Sequence, residues 1–399
     1  MKSIFILGAS ILQVPAIKKA KEKGLYVYVL DYDSNAVGIQ YADEFLEIST
    51  IDKEAVYKAA LIKKPDYIIT STSDMPIRTV SWVCEKLGMK TDISYQNAVC
   101  ATDKWEMRKR MKDYGVPIPR FHLIDSYESF VEYSMEYPRK FVLKPVDNSA
   151  SRGVVLVDKN QKKNLHTIYD YSVGYSRNGN LLIEEYMEGP EVSVEAFTVE
   201  GVTHIITITD KIITEEPFFV EIGHTEPSRL PEDVQNEIRI VVKSAVSAIG
   251  ILNGPSHTEV KVTEDGVKLV EIAARLGGDF ITSKLVPLST GVDMVECSFN
   301  CLLDENIDYQ VKESKGAAIR FIQSSDGVIK SIEGINEALE CTGVKEVEIY
   351  KNVGDRVNSL KNSGDRIGHI LSVGETPDIA ACVAEKALKN IKIKYDANI

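Results

Sequence analysis

Two glutamates that a short hairpin would set face to face constrain this chain more than any other feature. In HTEVKVTEDGVKLVEIAARLGGD, Glu259 and Glu271 lie on β-rich runs joined by Glu264, Asp265 and Gly266, which is a hairpin signal. With those three residues as the loop and Gly266 in the left-handed position, Thr263 pairs with Val267. Counting outward then places Glu259 opposite Glu271. Directly opposed like charges are destabilising unless something cationic lies between them, and paired carboxylate oxygens suit Mg²⁺ shared with nucleotide phosphates. Arg275 follows Glu271 closely enough to meet the same anion.

Two lysines upstream have surroundings suited to phosphate. Lys104 falls in ATDKWEMRKRMKDYGVPIP, where Thr102 or Asp103 can cap a helix and Gly115 with Pro117 can end it. It therefore occupies a first helical turn, where the N-terminus favours anions. Lys144 closes the apolar run Phe141, Val142, Leu143. A small polar loop follows, with Asp147, Asn148, Ser149, Ala150, Ser151, Arg152 and Gly153, before a strand over 154–157. Such a loop can fold over phosphates with its backbone N–H groups while Lys144 supplies a point charge. No GxxxxGK[ST] occurs, so this is not a P-loop. Next, LLIEEYMEGPEVSVEAF places strand-like runs around Glu188, Gly189 and Pro190. The stretch from Glu184 through Glu185 to Met187 can offer backbone amides to an adenine edge, and the Glu191 carboxylate can accept from ribose hydroxyls.

Taken in order, these segments resemble the ATP-grasp superfamily over most of the chain. The resemblance implies that Lys104, Lys144 and the loop residues Ser149, Ser151, Arg152 and Gly153 touch the ATP phosphates, and that Glu184, Glu185, Met187 and Glu191 line the adenosine site. It implies that Glu259 and Glu271 hold Mg²⁺ or Mn²⁺, and that Arg275, with Lys144, acts on the transferred phosphoryl group. Many members carry Asn two residues after the second glutamate. Here that position is Ala273, so a third protein ligand is missing. The GPSHTE and EIAAR wording is most similar to the ATP-dependent amino-acid ligases that make dipeptides. The implied activity is carboxylate–amine ligation through an acyl phosphate, releasing ADP and phosphate. Phosphoribosylglycinamide synthetase is the runner-up resemblance, since it shares the same ATP machinery, and carbamoyl-phosphate-synthase-like proteins are also similar. A biotin-carboxylase-like role lacks an obvious biotinyl domain. A non-catalytic nucleotide-binding module has no need of both glutamates and Arg275.

Composition agrees with such an enzyme. At 399 residues and 44% hydrophobic, the chain exceeds one core, so two or three domains are expected. Its net charge of −12 argues against nucleic acid or an anionic membrane as partner; the resemblance implies small-molecule carboxylate and amine substrates. A homodimer stays open. The six cysteines are scattered without a CxxC pair, which suits a reducing cytoplasm better than disulfides or zinc; Cys297 and Cys301 read as core thiols. MKSIFILGAS enters a strand directly, no apolar run approaches ~18 residues, and the reading is cytosolic.

The fold class read from this pattern is α/β: an open parallel sheet first, then a two-lobed α+β ATP-grasp domain and a C-terminal α+β segment. A strand over 3–7, a helix over 15–23, a strand over 25–30 closing at Asp31, a strand over 67–70 and a helix over 82–87 give a substrate domain at 1–100. The small lobe is 101–185, the large lobe with the metal site 186–305, and the C-terminal segment 306–399. In that last segment strands are expected over 317–323 and 346–350 and helices over 333–339 and 377–389, with the turn Arg366, Ile367, Gly368, His369 read as support for the fold. The dinucleotide fingerprint fails, because Ser10 and Gln13 stand where GxGxxG needs glycine. Substrate candidates are Ser73 and Asp74 at a strand's carboxyl end, where a capped helix start is the alternative. His224 in a polar loop, His257 on the same strand face as Glu259, and Arg320 on a strand returning toward the cleft are the others. Asp279 either reaches the acceptor side of the pocket or caps a helix beginning near Phe280. No GxSxG elbow supports hydrolase chemistry.

Overall fold

The protein is described by a computed structural model over residues 1–148, 152–160, 164–214 and 219–396. Ser149 and Ser151 lie outside the described residues. The first strands form a four-stranded parallel sheet in the order Glu44–Glu47, Tyr26–Asp31, Ser3–Leu7, Tyr67–Ile69. The central strand is apolar throughout because helices cover both its faces: Phe5 and Leu7 pack with Val56 and Val83, while Ile4 and Ile6 pack with Ile17. Gln13, where a dinucleotide site needs glycine, is fully buried. Its amide donates to the Thr72 and Ser73 hydroxyls at 3.1 and 3.0 Å and accepts from the Ser71 N–H at 3.0 Å. The side chain fills the crevice that a pyrophosphate would need.

Two antiparallel sheets follow. The smaller has the order Phe121–Ile124, Leu181–Glu185, Lys140–Pro145, Val155–Asp158, and its core joins Phe130 and Ile168 from flanking helices to Phe141, Leu143 and Ile183. The larger has eight strands: Gly266–Ala273, Gly254–Thr263, Glu191–Val199, Val202–Ile213, Glu221–Glu226, Gly316–Ile322, Gly368–Gly374 and Val344–Ile349. One face packs on helix Glu232–Ile249, where Ile238, Val242, Ala245 and Val246 meet Val192, Val194, Ile208, Val260 and Leu269, and on helix Pro377–Asn390 through Ala318, Ala380 and Ala384. Each buried aliphatic side chain there contributes about 1.5–3 kcal/mol. On the opposite face Phe197, Ala317, Ile319 and Phe321 join a second core with Leu285, Val286 and Phe299, and the rest of that face carries polar groups.

The metal hairpin reaches its expected pairing by a different route. Thr263 pairs with Gly266, not Val267, so the loop is the two residues Glu264 and Asp265, with Gly266 at φ +103°. Val260 pairs with Leu269, a bulge at Val270 then takes up one residue, and Glu259 does stand opposite Glu271. Without the bulge, Glu271 would share the face of Val267 and Leu269 and point at helix Glu232–Ile249. The bulge turns it to the polar side. In the C-terminal part, residues 333–334 do not begin a helix. Glu333 ends a strand, Gly327–Glu333, that the sequence reading lacked, Gly334 turns at φ +86°, and the helix is Ile335–Leu339. That strand joins Arg356–Val357 and Lys392–Asp396 in a small third antiparallel sheet.

Between the two larger sheets the chain crosses at Gly189, whose φ is +129° and where a Cβ would lie 1.9 Å from the Val262 carbonyl oxygen. Gly189→Ala is expected to lower stability by about 1–3 kcal/mol through backbone strain and collision with the hairpin, read as a lower midpoint in urea. An unchanged midpoint would show that the crossing relaxes freely.

Candidate active site

The period-two alternation of the large sheet gathers its ionisable residues on one face. The pairs Glu259–Glu271, Lys261–Glu191, His257–Glu195 and Lys211–His224 follow from the register. Glu221 joins them because an irregularity beside Ile213 shifts it onto the same side. The small sheet stands opposite with Lys144, Glu184 and Glu185. The cleft between is bounded by Lys104, Arg152, Met187, Asp74 and Arg275, among others.

Asp103 accepts from the N–H groups of Trp105 and Glu106, which fixes the start of helix Lys104–Asp113 and leaves Lys104 in its first turn. The Lys104 ammonium donates to the Asn148 carbonyl at 2.6 Å and lies 3.3 Å from Glu271. Lys144 pairs with Glu184 at 2.6 Å, and Glu184 also accepts from Arg108 Nε at 2.6 Å. Burial alone would raise the Glu184 carboxyl, but Arg108 and Lys144 outweigh it and hold the group down to about 2. Burial, with Arg108 and Lys104 adding repulsion, lowers Lys144 despite Glu184. The Glu184 side chain is therefore committed to holding Lys144, and its backbone is paired within the sheet, opposite Phe121 on one side and Val142 on the other, so the adenine-edge role expected of Glu184 is not available to it. Glu185 faces Lys268 at 3.3 Å, and the Met187 carbonyl accepts from Lys261 at 3.2 Å. Gly153 is needed for close approach, since a Cβ there would lie 2.7 Å from Tyr175 Cβ.

Lys211, which no sequence motif singled out, is the hub of the floor. Its ammonium lies 2.6 Å from Glu191, 3.0 Å from Glu259 and 3.5 Å from Glu221. Burial opposes its charge, yet the three carboxylates raise it well above the ordinary lysine range. Burial likewise opposes the Glu259 charge, which Lys211 and His257 hold well below the usual carboxylate range. His257 Nδ1 lies 2.5 Å from the fully buried Glu195, and its Nε2 faces Glu259 at 3.6 Å. Burial lowers His257, but Glu195 prevails and the ring is pushed up to about 9.

At the far end, Arg275 Nε pairs with Asp74 at 2.5 Å and its NH1 donates to the Leu276 carbonyl at 2.8 Å. Ser73 accepts from Gln13 instead of lining the cleft. Asp279 caps nothing: it sits at φ +50°, the next turn begins at Phe280 without a side-chain cap, and its carboxylate meets Arg366 at 2.9 Å and His224 at 3.4 Å. Arg366 also reaches Glu221 at 3.3 Å while lying over the Phe321 ring at 3.9 Å. The turn read as fold support thus carries an arginine of the floor. Its clue was a charged residue before a strand, too common to decide anything. Arg320 does not reach the cleft. Alternation places it opposite Phe321, where it donates to the His224 carbonyl at 3.0 Å and pairs with Glu385 of helix Pro377–Asn390 at 3.1 Å. Ala273 does face the cleft, beside His257, and offers no ligand atom.

Residues 136–283 match the family model for the ATP-grasp domain, and residues 320–396 match L-amino acid ligase C-terminal domain 2. The L-arginine-specific L-amino acid ligase of Bacillus subtilis is 23% identical over 321 residues, covering 77% of this chain and 75% of its own. The phosphoribosylamine–glycine ligase of Methanocaldococcus jannaschii is 25% identical over 428 residues, covering 98% of this chain and 94% of its own. The crystal structure of an L-amino acid ligase from Bacillus licheniformis superposes with a TM-score of 0.84 at 21% identity, covering 99% of each chain.

Glu184→Gln is expected to cost about 3–5 kcal/mol at neutral pH, because Arg108 and Lys144 lose a buried partner. The folded carboxyl binds its proton more weakly than the unfolded one. Its contribution is therefore full above its ordinary value of 4.5 and is lost as pH falls toward 2. Urea unfolding of both proteins from pH 7 downward should show the gap narrowing below about pH 5. A gap independent of pH would contradict this.

Proposed function

The chain is an ATP-grasp ligase, and from that premise we propose that it joins the carboxylate of one amino acid to the amine of another through an acyl phosphate, releasing ADP and phosphate. The observation that carries this reading is the convergence of Lys104, Lys144 and Arg275 on a cleft whose floor holds the opposed carboxylates Glu259 and Glu271. The match at 320–396 to the L-amino acid ligase C-terminal domain favours amino acids over a ribose-phosphate amine.

In this reading Lys104 and Lys144 contact the ATP phosphates, with Arg152 and Gly153 at the loop end. Met187, with the strand end at Glu185, meets the adenine, and Glu191 meets the ribose. Glu259 and Glu271 fit a divalent cation: both are hard oxygen donors facing the cleft at one ladder position, and Ala273 adds none. Mg²⁺ or Mn²⁺ held there would neutralise charge on the phosphate oxygens. The substrate carboxylate oxygen attacks the γ-phosphorus as the bond to the ADP oxygen breaks, and Arg275 balances charge on the phosphoryl oxygens. Positioning and charge neutralisation are what such a transfer needs. The amine nitrogen then attacks the acyl carbon, phosphate leaves with the C–O bond electrons, and the nitrogen sheds its proton. On the acceptor side the charge facing the cleft is that of Glu221. Asp279 and His224 act behind it, through Arg366. Six free cysteines support a reducing, cytosolic setting.

Lys144→Ala is expected to weaken ATP binding strongly in calorimetry while the protein stays folded, and Glu271→Gln to cost roughly 10²–10³ in turnover. Normal turnover of Glu271→Gln at limiting Mg²⁺ would rule out the shared-cation arrangement.

Carboxylate substrate labelled with ¹⁸O should deliver one label to the released phosphate for each amide formed. Release of AMP and pyrophosphate instead would replace the acyl phosphate with an adenylate.

A further inference from the structure

Behind Arg275, on the side away from the cleft, a second cavity opens where the parallel sheet meets the large sheet. Its room is small, about 70 Å³, below the range of drug-sized ligand sites, so only a small, short-chained occupant fits. Its walls are the carboxyl end of strand Tyr67–Ile69, the inner face of helix Pro76–Leu87, helix Met294–Leu303 and the segment Ala274–Leu276. Open parallel sheets bind ligands at the carboxyl ends of their strands. Arg275 alone lines both this cavity and the cleft. The Leu276 N–H donates to the Ser71 carbonyl at 3.1 Å, which ties the partition to the parallel sheet.

The wall chemistry is one-sided. Ile77, Val80, Val295, Phe299 and Leu302 supply an aliphatic and aromatic surface. The hydroxyls of Thr70, Ser81, Thr91 and Ser298 each donate to a nearby backbone carbonyl, at 2.9 to 3.1 Å. Asp92 differs from all of these: its carboxylate has no hydrogen bond or ion pair among the described residues. Lys90, beside it, directs its ammonium to Asp304 at 2.5 Å and to the Cys301 carbonyl at 2.7 Å. The guanidinium of Arg275 is held by Asp74 and the Leu276 carbonyl. Each cation of the wall thus already has a protein partner, whereas the one acid of the wall has none at hydrogen-bond distance. Burial raises the Asp92 carboxyl to about 6, a cost that an incoming ammonium would relieve.

We propose that this cavity binds a small aliphatic primary amine lacking a carboxylate, its ammonium on Asp92 and its chain against Ile77, Val80, Val295 and Phe299. The absence of a free cation in the wall separates this occupant from the amino-acid substrates of the cleft, so the site is a second one and not an arm of the first.

The test is titration of the full chain with n-butylamine, n-pentylamine and n-hexylamine, with 1-pentanol and norleucine as matched probes, by calorimetry and ligand-observed NMR at saturating ADP. The amines are expected to bind with ADP present, and 1-pentanol and norleucine roughly 10-fold or more weakly, as loss of a charged hydrogen bond implies. Asp92→Asn should lose a comparable factor while melting no lower than the parent, since a partly buried charge without a close partner has been removed. Ser298→Leu, which fills the apolar end, should abolish binding independently of the charge. Equal amine affinity in Asp92→Asn, competition by ADP, preference for norleucine, or no amine binding to the folded parent would each overturn the assignment.

Discussion

A single ammonium, that of Lys211, makes the cleft floor possible. Glu191, Glu221 and Glu259 project from three different strands onto one face, and three carboxylates at such spacing would repel one another in a medium poorer in water than bulk. Lys211 is 3% exposed at its side chain, so its own desolvation is offset only by these partners. Removing it would leave each carboxylate a separate and mostly more distant cation, Lys261 at 3.9 Å for Glu191, His257 at 3.6 Å for Glu259 and Arg366 at 3.3 Å for Glu221, whereas removing one glutamate leaves Lys211 two partners. The floor is thus asymmetric in what it tolerates, since only Lys211 is shared by all three.

How much of this could be read from the residues alone differs from element to element. Lys104 and Lys144 were legible because local rules place them: an N-cap, a strand end and a loop of small polar residues. The Glu259–Glu271 pairing was legible for a partly wrong reason, since the loop is shorter than expected and a bulge makes up the difference. The sign of that bulge was in the pattern. Val267 and Leu269 are apolar at odd positions and Ile272 at an even one, so the buried parity changes just where Val270 is extra. Lys211 was not legible, because TITDKIIT shows one lysine in a strand and says nothing of three glutamates dispersed through the fold. Arg366 and Asp279 are joined from distant segments by the sheet order, a long-range fact that no local spacing encodes.

Arg320 shows the same lesson from the other side. Its strand does return toward the cleft, yet alternation gives neighbouring residues opposite fates: Phe321 lies under Arg366 on the cleft face, and Arg320 turns to helix Pro377–Asn390. Reading the strand was sound. Choosing its face needed the register with Glu221–Glu226.

Beneath the floor, the buried acids show what the arrangement costs. Glu195 touches His257 through one oxygen and leaves the other without a partner, and Glu226 accepts only from Thr209 at 2.8 Å, its second oxygen also unpartnered. Burial pushes Glu226 well above the usual carboxylate range, and the nearby charge of Glu195 acts in the same direction. Glu195 then holds the ring of His257 with its other nitrogen toward Glu259. Glu195 thus fixes the ring of His257, and the ring in turn faces the carboxylate at the cleft. Groups held in this way need not reorganise when charge arrives, which is where preorganised sites gain over water.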